Sequence, residues 1–369
     1  MKMPLLFFAL ILSSGLLAQK TTPPKVLMVV SGYGKNAGKA RPGFEMDEFA
    51  QAYLIFTANG LVPEVASPQG GKVEPDEFNP EKPYIQAILK DSTAQQLLRH
   101  TLPTARVRPQ DYNVIYIVGG KGAMFDLPVD PYLQEAIVAV DAQNGIVASV
   151  CHGAAAFAHV KKSDGSYWVT GKKVTGFSNA EEVMFGKKWK LEFPFLLEDK
   201  LKARAAIFEQ TDIMLPHVTQ DKNVITGQNP YSTTAMATAV VRALGLAVAP
   251  RTLYPDENSM LLLTSFVEGH KEAARMALAQ DTDQYDVELI ALYGYLRAKA
   301  ANDNAQQIQL AVEMMNLAMP YYYNAQLSLA QAECYLKLND KAAARATLQS
   351  ILDKEPDHKD AVKMLQELN

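Results

Sequence analysis

The sequence predicts an α/β domain, a parallel sheet sandwiched by helices, followed by an all-α repeat region. Three observations carry this. Short continuous apolar runs alternate with helix-like segments over the first 250 residues, the pattern of strands buried on both faces. Glycine punctuation then nearly stops: of 21 glycines, only Gly269 and Gly294 lie beyond Pro250. Finally, Gly269–Leu278 recurs as Asn339–Leu348, two units of about 35 residues later, which marks stacked helical hairpins.

The elements follow in order. Lys2, the apolar run Leu5–Leu12, the small residues Ser13–Gly15 and the exit Leu16–Lys20 read as a secretory signal peptide over residues 1–18. The run is shorter than the ~20 residues a membrane span needs. No cysteine stands near the exit for a lipid anchor, so the mature chain is expected to be soluble and exported, periplasmic or secreted. The α/β domain is placed at residues 24–249. Val26–Val30 is a buried strand followed by a glycine-rich loop. Glu45–Asn59 has helical spacing and stops at Gly60, and Val62–Ala66 is a second strand. Val114–Val118 is a strand that enters Gly119 and Gly120. Pro131–Gln143 is a helix and Ile146–Val150 a strand. Val224–Thr226 and the helix Thr233–Leu244 complete the domain. Pro250–Pro255 forms a hinge. Residues 253–369 then hold about three helical hairpins and a closing helix, Lys359–Leu368. The middle unit centres on Ala311. In the last unit Ala332, Tyr335, Ala344, Leu348 and Pro356 fall at tetratricopeptide-like spacing.

Composition excludes several functions. The 369 residues carry 36 Lys+Arg against 40 Asp+Glu, a net charge of −4, so no clustered positive charge draws nucleic acid. An apolar content of 48% is too high for disorder. Only Cys151 and Cys334 are present, which rules out a disulfide scaffold and paired zinc clusters. They fall in different domains, so no disulfide is expected between them, and Cys334 reads as a packing residue. The loop Gly34–Ala40 imitates a phosphate-binding loop, but Ala40 stands where Ser or Thr is required. The histidines show no metal-ligand spacing.

Cys151 is the residue suited to chemistry. Ser149-Val150-Cys151-His152-Gly153 has the nucleophile-elbow pattern, with small residues two positions either side of the nucleophile. The turn lifts sulfur above the sheet edge beside a helix start, whose N–H groups favour thiolate. His152 supplies a group that titrates near neutral pH. The loop Val118–Gly122 also reaches this edge, so the backbone N–H groups of Gly120 and His152 can form an oxyanion hole.

With these residues placed, the first half resembles the ThiJ/PfpI superfamily, a flavodoxin-like fold akin to class I glutamine amidotransferases. It looks most like the glyoxalase III and heat-shock chaperone branch. Five ordered motifs between Val26 and Leu244 carry the resemblance: Gly43–Glu48, Val118–Asp126, Ala148–Gly153, Val174–Glu182 and Val224–Pro230. The resemblance implies that Cys151 is the nucleophile and His152 its partner. It implies that Glu48, twelve residues before Gly60, is the buried glutamate, ahead of Glu45. The acidic partner of the histidine falls on Glu182, with Glu181 as the alternative. Lys121 stands where this branch often has His, which puts the substrate range in question. His217 is a further candidate for the pocket border.

The leading expectation is a cofactor-independent, metal-independent cysteine enzyme acting on small reactive carbonyls, turning methylglyoxal and water into lactate. Two other classes stand beside it: a stress-related chaperone, peptide-binding or redox-sensing module, and a peptidase- or amidase-like hydrolase. Its partners would be a small-molecule carbonyl substrate, a protein or peptide on the helical repeats, and no nucleic acid. The resemblance implies a homodimer unless the helical tail covers that surface.

Overall fold

In a computed structural model, residues 22–368 are described. The leader-like segment, residues 1–18, lies outside them. Among the described residues nine strands follow in chain order: β1 (Lys25–Val29), β2 (Val62–Ser67), β3 (Leu102–Pro103), β4 (Val114–Ile117), β5 (Ile146–Val150), β6 (Lys173–Val174), β7 (Ile207–Phe208), β8 (Val218–Asp221) and β9 (Val224–Gly227). The main sheet has the order β3-β2-β1-β4-β5-β9-β8, and β6 pairs with β7 in a small second sheet. Every pairing in the main sheet is parallel except β8–β9 at its edge. The sheet is thus parallel as expected, with one antiparallel strand, β8, at its edge. A two-residue turn at Lys222 and Asn223, with Lys222 at positive φ, returns the chain directly and leaves no room for a crossover helix.

Eight helices belong to this part: α1 (Met46–Ala58), α2 (Pro83–Lys90), α3 (Ser92–Arg99), α4 (Ala123–Asp126), α5 (Pro131–Ala142), α6 (Asn179–Phe185), α7 (Leu197–Ala203) and α8 (Thr233–Ala243). Local chemistry sets their ends. Asp130 accepts from the N–H groups of Tyr132 and Leu133, and Pro131 occupies the first turn of α5, where no donor is needed. The central strands β1, β4 and β5 are buried nearly throughout, as continuous apolar runs sandwiched between helices require.

The C-terminal region is all-helical: α9 (Pro255–Val267), α10 (Lys271–Gln280), α11 (Val287–Ala300), α12 (Ala305–Ala318), α13 (Ala325–Lys337), α14 (Lys341–Lys354) and α15 (Lys359–Glu367). The helices pack as α9 on α10, α11 on α12 and α13 on α14, and α15 closes the stack on α14. Gly269 and Asn339, the two residues that open the sequence self-match, both stand at positive φ, in the turns before α10 and α14. Among the described residues no helix is long and apolar enough to cross a membrane.

The two parts share a seam. The helical core takes in Met214 and Leu215, which precede β8, and packs against Phe185 of α6. Tyr84 donates to Asp256 of α9 at 2.7 Å, and Thr234 of α8 donates to Glu257 at 2.9 Å. Arg297 of α11, almost fully buried, forms an ion pair with Asp212. These bonds join residues far apart in sequence and fix the helical region against the C-terminal edge of the sheet, where open α/β sheets place their sites.

Candidate active site

Cys151 follows β5 directly, at φ +57°, in the left-handed region that non-glycine residues seldom adopt. Such strain costs of order 1–3 kcal/mol and persists only where the surroundings hold it. Gly119 and Gly153 make the turn feasible. A Cβ on Gly119 would lie 2.7 Å from Glu48 Oε2 and 2.9 Å from Cys151 Cβ. One on Gly153 would lie 2.5 Å from the Ile117 carbonyl oxygen. A 3₁₀ helix, Cys151–His159, starts at the cysteine, so its N-terminal N–H groups face the sulfur.

The sequence-predicted residues converge here. Cys151 Sγ lies 3.4 Å from His152 Nδ1. On the other side of the ring, His152 Nε2 is hydrogen-bonded to Glu182 Oε1. A carboxylate can only accept, so the ring proton sits on Nε2 and Nδ1 is left to accept from the thiol. Phe177 packs against the imidazole, with centroids 4.4 Å apart, and limits its rotation. The choice of Glu182 over Glu181 has a local cause. Ser178 and Glu181 form a reciprocal capping box at the start of α6. Glu181 also accepts from Met214 N and from Asn229 Nδ2. With Glu181 committed to the cap, the next residue, about 100° further round the helix, is the one turned to His152. The Ser-x-x-Glu spacing is visible in the sequence and would have separated the two glutamates without the structure.

Glu48, from α1, is fully buried beneath the cysteine. Its Oε2 accepts from Gly119 N at 2.6 Å, and its other oxygen, Oε1, is buried without a hydrogen-bond partner. Burial, followed by the charge of Glu45, pushes its pKa well up. Cys151 is also pushed up, first by burial and then by Glu48, while the His152 N–H pulls it down. This corrects the expectation that the helix start makes the free thiol a thiolate: desolvation outweighs the dipole. Two buried anions in contact are disfavoured, so the pair carries at most one negative charge near neutrality, with Glu48 retaining its proton.

Cys151 and His152 open on a cavity of about 250 Å³. Gly120, Lys121, Cys151 and His152 form its floor. The Gly119 N–H is committed to Glu48, so the Gly120 N–H is the loop donor left to face the cavity. Phe177, Phe185, Met214 and Leu292 form an apolar flank. Asp47, Lys82, Tyr84, Tyr231 and Asp256 form a polar one. There Lys82 pairs with Asp47, and the Tyr84 hydroxyl lies 3.0 Å from Asp47 Oδ2 and 2.7 Å from Asp256 Oδ2. His217 is not part of this lining. Its ring lies 3.2 Å from Thr219 Oγ1, and it is held at the base of β8 by its N–H to Ser232. Among the described residues, no group of three or more His, Cys, Asp or Glu is placed to hold a metal ion.

Sequence reasoning missed the polar flank and gave Glu45 no role once Glu48 was chosen as the buried glutamate, which the structure places at 0% exposure. Glu45 lines the cavity, and burial together with Asp47 raises its pKa from 4.5 to about 7, with Lys121 opposing. Between these values the folded protein binds more protons than the unfolded chain, so this group removes stability as pH rises from 4.5 to 7. Glu45→Gln is expected to flatten that segment of the stability–pH curve. Urea melts at pH 5 and pH 8 check it: the variant should gain on the wild type at pH 8.

The family model described as DJ-1/PfpI matches residues 40–243. A glutathione-independent glyoxalase of Schizosaccharomyces pombe is 28% identical over 237 residues, covering 59% of this chain and 95% of the relative. Glyoxalase 3 of Candida albicans is 28% identical over 232 residues, covering 59% of this chain and 98% of its own. The X-ray structure of the rapid encystment protein of Francisella tularensis covers 60% of this chain and 99% of its own, at 29% identity and a TM-score of 0.56. The family match ends before α9, and with the elbow cysteine at the C-terminal edge of the sheet it decides the matter: the chain belongs to the DJ-1/PfpI family.

Proposed function

We propose that this protein is a glutathione-independent glyoxalase that converts methylglyoxal and water into lactate with Cys151 as nucleophile. The observation that carries the reading is the buried set of Glu48, Cys151, His152 and Glu182 under one cavity. The names of the relatives from two yeasts support it.

The steps follow from the geometry. His152 Nδ1 takes the thiol proton, and Glu182 steadies the imidazolium. The sulfur attacks the aldehyde carbon, and the resulting oxyanion rests on the Gly120 and His152 N–H groups. The hydrogen on the aldehyde carbon then leaves as a proton, giving an enediol, and a proton returns to the neighbouring former keto carbon. Glu48 or His152 carries these transfers. The product of this rearrangement is a lactoyl thioester on Cys151. Water hydrolyses it, releasing lactate and restoring the thiol. The carbons exchange oxidation state internally, so no external oxidant enters.

The test is direct. The purified mature chain, given methylglyoxal without glutathione, should form lactate detectable by proton NMR. Absence of lactate, with methylglyoxal unconsumed, overturns the reading. The same proposal has the enzyme acting after export, which the leader-like segment supports. It also reads the C-terminal helices as tetratricopeptide-like repeats, supported by the matching left-handed turns at Gly269 and Asn339.

A further inference from the structure

The C-terminal helices contribute to the wall of the cavity over Cys151. Asp256 of α9 closes the polar flank and Leu292 of α11 the apolar one. Leu292 also borders a second cavity of about 230 Å³, lined by Glu288, Tyr295, Tyr322 and Leu327 of the helical region. One side chain thus stands between the space above the nucleophile and a groove between helices. It is an apolar residue left 43% exposed, while its neighbours Ile290, Ala291 and Tyr293 are buried and anchor α11. Arg297, one turn on from Tyr293, is bonded to the Tyr293 hydroxyl at 3.2 Å and ion-paired with Asp212, which ties the helix to the loop carrying Met214. The helix that carries Leu292 is therefore anchored on both sides of it.

We propose that Leu292 sets the length of substrate the site accepts, and that the substrates are 2-oxoaldehydes bearing an apolar substituent. This rests on the glyoxalase reading. A cavity of about 250 Å³ is more than a three-carbon dicarbonyl fills. With the carbonyls on Cys151 and the Gly120 N–H, the substituent extends along Phe177, Phe185 and Met214 and ends at Leu292. Trimming Leu292 joins the two cavities. Enlarging it shortens the first.

The experiment compares methylglyoxal, phenylglyoxal and biphenylylglyoxal on the full mature chain. The wild type should turn over the first two with kcat/KM within about tenfold of each other, and the third at least about 100-fold less well. Leu292→Ala should raise kcat/KM for biphenylylglyoxal about tenfold or more, and Leu292→Trp should lower it for phenylglyoxal about tenfold. Each shift is read as a ratio to kcat/KM for methylglyoxal on the same variant, the substrate that does not reach the partition. The opposite signs protect the result against a variant that merely folds less well. Equal shifts on all three substrates, or no shift on any, overturn the role of Leu292 while the glyoxalase reading stands. A wild type that turns over neither methylglyoxal nor phenylglyoxal overturns both.

Discussion

Cys151→Ala is expected to lower kcat/KM for methylglyoxal by about a thousandfold or more, because the covalent route has no other nucleophile. His152 cannot substitute: its Nε2 is bonded to Glu182, and its Nδ1 is oriented toward the sulfur rather than the cavity centre. The loss should be chemical rather than structural. The sulfur already borders an open cavity, so removing it adds little void, and the penalty should stay near ~1 kcal/mol. Steady-state kinetics beside a thermal melt check this. A variant that melts like the wild type and keeps activity within tenfold would remove the thiol from the mechanism.

Glu48→Gln carries the second large effect. Glutamine keeps the shape, the neutral charge and the acceptor for the Gly119 N–H, so the turn around Cys151 survives. What it cannot do is release or take up a proton at neutral pH. A fall in kcat of about 100-fold with little change in KM is expected, the scale of a lost general acid–base. Stability should move the other way. A carboxyl whose folded pKa is raised makes the folded state bind more protons than the unfolded chain above pH 4.5. That contribution falls away with rising pH, and glutamine is free of it. The variant should therefore be relatively more stable at pH 8 than at pH 4. Glu48→Ala separates the roles: it also leaves the buried Gly119 N–H without a partner, at about 1–3 kcal/mol. If Glu48→Gln retains kcat within a factor of three, Glu48 is a structural support for the loop, and His152 alone moves the protons.

Much of this site was legible in the chain because its signals are local. The nucleophile elbow is a steric pattern: only small residues fit on either side of a left-handed turn, and Ser149, Gly153 and the Gly119–Gly120 loop announce it. Glu48 was selected by the resemblance, and the distance to Gly60 that it implies holds because 13 residues of α1 run unbroken from Met46 to Ala58. Strands β1, β4 and β5 declared themselves as continuous apolar runs. Glu182 was selected by resemblance, yet its physical reason, the capping box on Ser178 and Glu181, is also local.

What the chain alone did not determine depends on distance. Tyr84 and Asp256 are separated by 172 positions, and no periodicity links them. Lys82, Asp47 and Asp256 share one cluster only because α1, α2 and α9 meet at the seam. The direction of the Cys151 shift reversed for the same reason. A helix start can be read from sequence, but the depth of burial that outweighs it cannot. His217 stood near the right motif and still turned to Thr219, its same-face neighbour two residues on. The sequence by itself determined the strands of the sheet, the elbow with its cysteine and the helical pairs, each specified by neighbours within a few turns of chain. Only the tertiary structure decided that the helical region walls the cavity through Asp256 and Leu292. That contact arises from packing two apolar surfaces, and packing is specified by shape rather than by order in the chain.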